Sequence, residues 1–406
     1  MLRQFSMASR EDAGRGRPAR GLPAWTYRNP ELLGLEYERV ILPSWQFVCH
    51  QNQLREPGDF ATLELMRDPV LVLRDDAGTL RAFLNVCRHR GTRLLDGSGS
   101  CRSRIACPYH GWTYGLDGRL VGVPAERTFP GLDKNALSLK PIEIETLEGL
   151  VFVRLQGGGP SLRACWGDYV ELLRPYKVAE MAPAGPALQE RWSANWKIAV
   201  DNNLENYHVP VGHPGYHRLL ENELRGFMNA HGVAGSRSVL RAKPSANWVE
   251  RMYQNLAPHA LRGVVDEQTA RSWLFFSMPP NTGINLYPDS MDVFQMLPAE
   301  AESCTIRYTV LARPNETREG RLLRYLNLRI NRQVSAEDRW LSQRVQSAVH
   351  AHGYEPGPLS DYEGALVDFH DRLRAACPVM SLEEEPSPGT LRARNGALIA
   401  RGRAGA

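Results

Sequence analysis

The chain has 406 residues, of which 43% are hydrophobic and 23% charged. That composition is globular, predicts two or three domains and excludes a wholly disordered chain. The net charge is only +4, and the surplus sits at the ends: residues 1–20 hold five Arg, and residues 386–406 hold four Arg and no acid. No folded basic stripe remains, which argues against nucleic-acid binding.

No run of about 18 apolar residues appears, so no transmembrane helix is expected. The start, MLRQFSMASREDAGRGRPARG, lacks the apolar stretch of a secretory leader. Seven Cys without a leader fit a reduced, cytoplasmic setting and leave thiols available to bind metal.

In chain order, residues 1–20 read as a solvated basic tail. Residues 29–43 carry apolar positions at helical spacing and stop at Pro43. ATLEL, PVLVLRD and LRAFLNV between 60 and 86 read as short strands, split by Pro57-Gly58 and by Asp75-Asp76-Ala77-Gly78. Strand character returns at 142–155, and Gly157-Gly158-Gly159-Pro160 is the clearest boundary. Beyond it, 162–176 reads as a helix, 187–198 as a strand and 198–208 as a helix start. Strands follow at 272–278, 283–287, 291–297 and 304–313, and helices at 318–330, 334–351 and 362–375. The expected plan is α+β. Residues 1–43 form a tail and helix, 44–158 a small all-β domain, 159–380 a domain of antiparallel sheet with long helices, and 381–406 a disordered basic tail. Neither a GxxxxGK[ST] phosphate loop nor a dinucleotide GxGxxG is present.

The first chemical pattern is Cys87-x-His89, then seventeen residues, then Cys107-x2-His110. Each half offers one thiolate and one imidazole from a tight loop. Zinc sites usually pair like with like; a mixed loop suits a cluster with two Cys on one iron and two His on the other. With the trailing Gly111, Trp112, Tyr114 and Gly118, the pattern closely resembles Rieske [2Fe–2S] proteins. Rieske proteins of respiratory complexes carry two further Cys that form a disulfide. Here Thr92 and Tyr109 stand at those positions, so the segment resembles the Rieske domains of oxygenases. Cys101, between the loops, reads as an ordinary loop or strand residue.

The second pattern is Glu205-x2-His208-x4-His213. Two imidazoles and a carboxylate make the facial triad of mononuclear non-haem Fe(II). The run with Asn195, Trp196, Lys197 and Tyr207 resembles the catalytic domain of Rieske non-haem iron oxygenase α subunits, and the likeness covers about residues 24–376. It implies a helix-grip second domain, a long helix held by a curved antiparallel sheet, after a Rieske first domain. It also implies an acid ligand in a late helix, eight residues before a Gln. Asp338 with Gln346 fits; Glu337 is the adjacent competitor, and Asp289 and Asp292 are weaker ones. The bland reading of Asp338 is a first-turn helix acid capped by Ser335.

The family places at Glu205 an acid that bridges a Rieske His of one subunit to an iron His of the next. Asp201, one turn back, is the rival. A Glu there resembles the subgroup acting on carnitine, glycine betaine and stachydrine, although Asn206 replaces that subgroup's usual Cys. His217, His350 and His352 read as pocket or surface residues. Trp248, Tyr253, Trp273, Phe275 and Phe276 lie where an aromatic cage for an ammonium ion would form, though each singly fits core packing.

The resemblance implies a terminal oxygenase with a [2Fe–2S] cluster and Fe(II). It would take O₂ and electrons from a separate NAD(P)H-dependent reductase, with or without a ferredoxin, and hydroxylate or demethylate a small organic substrate. Glu205 acting between subunits implies a head-to-tail trimer. A cis-dihydroxylating arene dioxygenase is the alternative. A non-catalytic electron carrier or zinc-binding protein leaves the second half unexplained.

Overall fold

The computed structural model describes residues 19–404, and it divides into two compact units. The basic stretch expected at residues 1–20 lies almost wholly outside the described residues.

One unit comprises Pro43–Arg163 and Val178–Pro183. It holds β1 (Gln46–His50), β2 (Asp59–Leu65), β3 (Asp68–Arg74), β4 (Leu80–Leu84), β5 (Ser98–Ser100), β6 (Arg104–Ala106), β7 (Thr113–Gly115), β8 (Leu120–Gly122), β9 (Glu143–Leu147), β10 (Leu150–Arg154) and the short β11 (Ala182–Pro183). The first ten make three small sheets, ordered β1-β10-β9, β4-β3-β2-β5 and β6-β7-β8. The Asp75 turn joins β3 to β4, with Asp75 Oδ1 accepting from Ala77 N at 3.0 Å and Thr79 N at 2.8 Å. Phe60, Leu71, Phe83, Ile105 and Trp112 form a buried core, and the thiols of Cys87 and Cys107 are rooted in it.

The other unit comprises the described part of the first 42 residues, Ala164–Lys177 and the chain from Ala184 on. It begins with α1 (Pro30–Glu36), whose Asn29 cap accepts from Leu32 N at 2.8 Å; one π-turn carries it on to Ile41. Residues 162–176 form α2 (Leu162–Trp166) and two 3₁₀ turns, not the single helix expected. Gly167, at φ 53°, ends the α-helix. Then come β12 (Leu188–Trp192), α3 (Trp196–Asn203), α4 (Val209–Gly212), α5 (Pro214–Leu219), β13 (Leu220–Asn222), β14 (Phe227–Met228), β15 (Ala234–Leu240) and α6 (Trp248–Ala260). Four long strands follow, β16 (Ser272–Met278), β17 (Thr282–Leu286), β18 (Ser290–Glu300) and β19 (Ser303–Ala312). The antiparallel sheet of this unit runs β12-β19-β18-β17-β16-β15-β13, with β14 also on β15.

Across this sheet's unit lies α7 (Arg318–Ala348), a single helix of 31 residues. Two helices with a break near 331–333 were expected. Nothing there breaks a helix, and Ser335 is no cap: its hydroxyl meets the Tyr308 hydroxyl at 2.8 Å. Asp338 is therefore a mid-helix residue, and the first-turn reading of it fails. Two clamps lock α7 to α3. Gln346 Oε1 accepts from Asn195 N at 2.8 Å, and Asn202 Nδ2 donates to Asp338 Oδ1 at 2.7 Å. Lys197 and Glu36, both fully buried, pair at 2.6 Å and join α3 to α1.

The chain closes with α8 (Gly364–Ala376) and α9 (Leu391–Ala404). The disordered C-terminal tail is thus corrected: most of it is a helix. Two of its polar side chains have partners within the unit. Arg392 is held by Glu38 at 2.7 and 2.9 Å, and Asn395 Oδ1 accepts from Val379 N at 3.1 Å. No helix among the described residues is long and apolar enough to cross a membrane.

Candidate metal centres

In the β unit, two similar loops present the four candidate cluster residues. The first leaves β4, and the second is the β6–β7 hairpin. In one, Cys87 N donates to Thr92 O at 2.8 Å and Gly91 N to Cys87 O at 3.0 Å; in the other, Cys107 N donates to Trp112 O at 2.8 Å and Gly111 N to Cys107 O at 3.0 Å. Each loop turns back on a glycine with positive φ, 74° at Gly91 and 70° at Gly111, where a side chain would be strained. The turns bring the His89 and His110 rings to 4.7 Å between centroids, and His89 stacks on Trp112 at 4.8 Å.

His89 Nδ1 is buried without a hydrogen-bond partner. An orphaned imidazole nitrogen is costly, and iron ligation at that atom would satisfy it. Tyr114 OH accepts from Arg88 N at 2.9 Å and stands 3.3 Å from Cys87 Sγ, where it can donate once that sulfur is a thiolate. Burial pushes the Cys87 thiol up. All seven Cys are unbridged. Tyr109, at one of the positions respiratory Rieske proteins give to Cys, stacks on His110 at 3.8 Å. Cys101 holds Gly58 O at 3.3 Å and takes no part in the loops.

In the second unit, α3 ends at Asn203, and Glu205 accepts from His208 N at 3.0 Å before α4 begins. Pro210 and Pro214 set two short helices end to end, and His213 folds back beside His208. The two Nε2 atoms stand 3.1 Å apart. Asp338 Oδ1 reaches His213 Nε2 at 2.8 Å and His208 Nε2 at 3.8 Å. These three groups converge closely enough to hold one metal ion. Two ring nitrogens facing each other beside a carboxylate oxygen is an arrangement that a shared cation relieves.

Both rings are aimed by acids on their far side: His208 Nδ1 meets Glu205 Oε1 at 2.5 Å, and His213 Nδ1 meets Glu337 Oε2 at 2.8 Å. Burial lowers the His213 pKa, but Asp338 and Glu337 outweigh it and hold it raised. Glu337 therefore sits behind His213, not beside Asp338. Asp201, the rival to Glu205, is occupied by Tyr27 OH at 2.9 Å and His370 Nε2 at 3.0 Å. Asp289 is taken by Tyr253 OH at 2.6 Å.

The triad opens on a cavity of about 170 Å³ in the same unit. Of the five aromatics expected as a cage, only Phe275 and Phe276 reach it. Tyr253 and Trp273 are core, and Trp248 is exposed. Tyr216, Tyr287, Phe294 and Tyr308 line it instead, with Asp292. Sequence reasoning missed these. The alternation of Asp292, Phe294 and Met296 along β18 is the signal that could have found them. His217 is not among the lining residues, and His350 pairs with Glu302.

Residues 44–140 match the family described as "Rieske [2Fe-2S] domain", and residues 176–378 match "Ring hydroxylating alpha subunit (catalytic domain)". The chain belongs to the ring-hydroxylating oxygenase α-subunit family. It is 28% identical over 390 residues to the glycine betaine monooxygenase oxygenase subunit of Chromohalobacter salexigens, covering 86% of this chain and 84% of that one. It is 29% identical over 364 residues to the carnitine monooxygenase oxygenase subunit of Escherichia coli K12, covering 86% and 90%. A crystal structure of the quaternary ammonium Rieske monooxygenase CntA with an inhibitor superposes with a TM-score of 0.75 at 24% identity, over 88% of this chain and 96% of that one.

As an α subunit of this family, the chain is the terminal oxygenase of a Rieske non-haem iron system. It uses O₂ and reductase-supplied electrons to hydroxylate or demethylate a small substrate, and its cofactors are a [2Fe–2S] cluster and a mononuclear iron. The iron, when bound, supplies O₂ activation; the protein supplies positioning, dryness and proton placement.

Proposed function

We propose that this oxygenase monooxygenates an N-methyl group of a small amine, with Cys87, His89, Cys107 and His110 holding the cluster and His208, His213 and Asp338 the iron. The carrying observation is the convergence of those three side chains on a cavity walled by aromatic rings and an acid. The relatives' own activities, on glycine betaine and carnitine, favour monooxygenation over arene dihydroxylation. In balance, R₂N–CH₃, O₂, two electrons and two protons give R₂N–CH₂OH and water. The carbinolamine then breaks its C–N bond to release R₂NH and formaldehyde.

In this reading Glu205 and Glu337 each accept the Nδ1 proton of their imidazole and keep Nε2 free to face the metal. Asn202 holds Asp338 Oδ1 and fixes its rotamer. The aromatic walls orient the methyl group and keep bulk water out.

Glu205 also bridges to the partner subunit's cluster in our reading. Tyr207 and Val211, flanking His208, are 56% and 88% exposed, and Tyr109, beside His110, is 54% exposed. Such exposed apolar residues fit burial in a head-to-tail trimer. A cytoplasmic location follows from the need for a reductase fed by NAD(P)H.

The test is O₂ uptake by the purified holoenzyme with a competent reductase, over a panel of N-methylamines and arenes. Formaldehyde equal to coupled O₂ is expected. A cis-diol from an arene, with no formaldehyde from any amine, would overturn the reading.

A further inference from the structure

The cavity beside the triad carries one carboxylate that metal binding does not need. Asp292 on β18 lines it and is 7% exposed. Its Oδ2 accepts from Tyr287 OH at 2.8 Å. Its Oδ1 is buried with no hydrogen-bond partner. A buried acceptor left without a donor costs about 1–3 kcal/mol, and more if it is ionised. Burial pushes the carboxyl up to about 7; hydrogen-bonding interactions with the Tyr287 and cross-strand Asn285 side chains pull it back, while no donor reaches Oδ1 in hydrogen-bond geometry.

Two further features narrow what could satisfy it. The walls include Phe275 and the stacked pair Phe294–Tyr308, whose centroids are 5.7 Å apart. Such faces attract a cation. Among the described lining residues there is no Lys or Arg. A carboxylate on the ligand would meet Asp292 with no Lys or Arg side chain in the walls to neutralise it. Asp292 and Asp338 act on the same two phenols, Tyr216 and Tyr308, so a ligand anchored at Asp292 stays in the compartment of the triad.

We propose that Asp292 is the specificity-determining residue of this cavity, and that the substrate is an N-methylated amine protonated at nitrogen and lacking a carboxylate. The protonated nitrogen brings the donor that Oδ1 lacks together with the opposite charge. A quaternary ammonium supplies the charge but no N–H. A zwitterion supplies an anion that the walls cannot neutralise. This inference rests on the demethylase reading above and selects within it.

Three probes separate these cases: N,N-dimethylbenzylamine, benzyltrimethylammonium and N,N-dimethylglycine. Calorimetry with the iron-loaded, cluster-containing protein at pH 8 is expected to show the first binding about tenfold or more tighter than the others, one tenfold step being 1.4 kcal/mol. Asp292→Asn is expected to erase that preference while the red-brown Rieske spectrum stays. Equal or tighter binding of either other probe to the native protein overturns the proposal, as does no binding of any probe or an unchanged preference in the variant. The native comparison stands even if the variant fails to fold. Turnover distinguishes the two readings. If the preference holds but dimethylbenzylamine yields no formaldehyde, demethylation fails and recognition by Asp292 survives. Equal formaldehyde from the quaternary probe, unaffected by Asp292→Asn, keeps demethylation and sinks the role of Asp292.

Discussion

The two candidate metal-binding regions of this chain are built on opposite principles. The cluster loops take all four candidate ligands from residues 87–110, and each loop closes its own backbone hydrogen bonds around a positive-φ glycine. The triad takes two candidate ligands from one short segment and the third from a helix more than a hundred residues later. The first site is fixed by local turn geometry. The second is fixed by how one helix docks, through clamps at both Asp338 and Gln346. A local site tolerates shifts of distant elements; an assembled site does not.

The sharpest way to break this contrast is Asp338→Ala. It is expected to abolish mononuclear iron and turnover, with a loss of about a thousandfold or more, and leave the Rieske absorption intact; iron and acid-labile sulfide per chain are the readout. Loss of both centres together would show that the two regions are not independent. Next comes Glu205→Gln, which should retain both metals but slow single-turnover electron delivery about a hundredfold, if that acid bridges the centres. A smaller effect, about tenfold in iron affinity, is expected for Glu337→Gln, because a neutral amide oxygen replaces the carboxylate that aims His213.

The pH dependence is subtler. Asp292, faced by Tyr287, Asn285, Tyr216 and Tyr308, has its carboxyl raised to about 7. It is neutral below that pH and charged above it. Affinity for N,N-dimethylbenzylamine, which stays protonated, should therefore rise between pH 6 and pH 8 and be flat across that window in Asp292→Asn. The mildest perturbation is Tyr114→Phe. Removing a donor from Cys87 Sγ should lower the cluster's reduction potential slightly with no change in iron content, because hydrogen bonds to the sulfurs help set it.

The same contrast explains what was legible in the sequence. Cys87, His89, Cys107 and His110 carry their geometry in their spacing. His208 and His213, five apart, were weak evidence by themselves and gained weight only beside the Cys/His loops, with Pro210 allowing the fold-back. Asp338 was reachable only through resemblance; no local pattern separates it from Glu337, and only the docking of α7 decides which acid faces the ring nitrogens. The disordered-tail reading of 381–406 failed because composition hides specific partners. Arg392 looks solvated until Glu38 is seen beside it. Helix α6 was passed over although Val249, Tyr253 and Ala257 recur at helical spacing. The cavity walls were hardest, because each side chain is an ordinary strand residue until the sheet curves them together.

That sheet holds a consequence for how such an enzyme changes its diet. The candidate iron ligands come from helices and the turns between them. Many selecting groups instead project from neighbouring strands: Phe275, Asn285, Asp292, Phe294, Ile306 and Tyr308. Successive strand side chains point to opposite faces, so Asp292, Phe294 and Met296 can be exchanged without disturbing the residues between them. Catalytic power and appetite are thus carried on separate parts of one scaffold. A library confined to alternate positions of β17, β18 and β19 would explore new substrates while the oxygen-activating machinery stays as it was inherited.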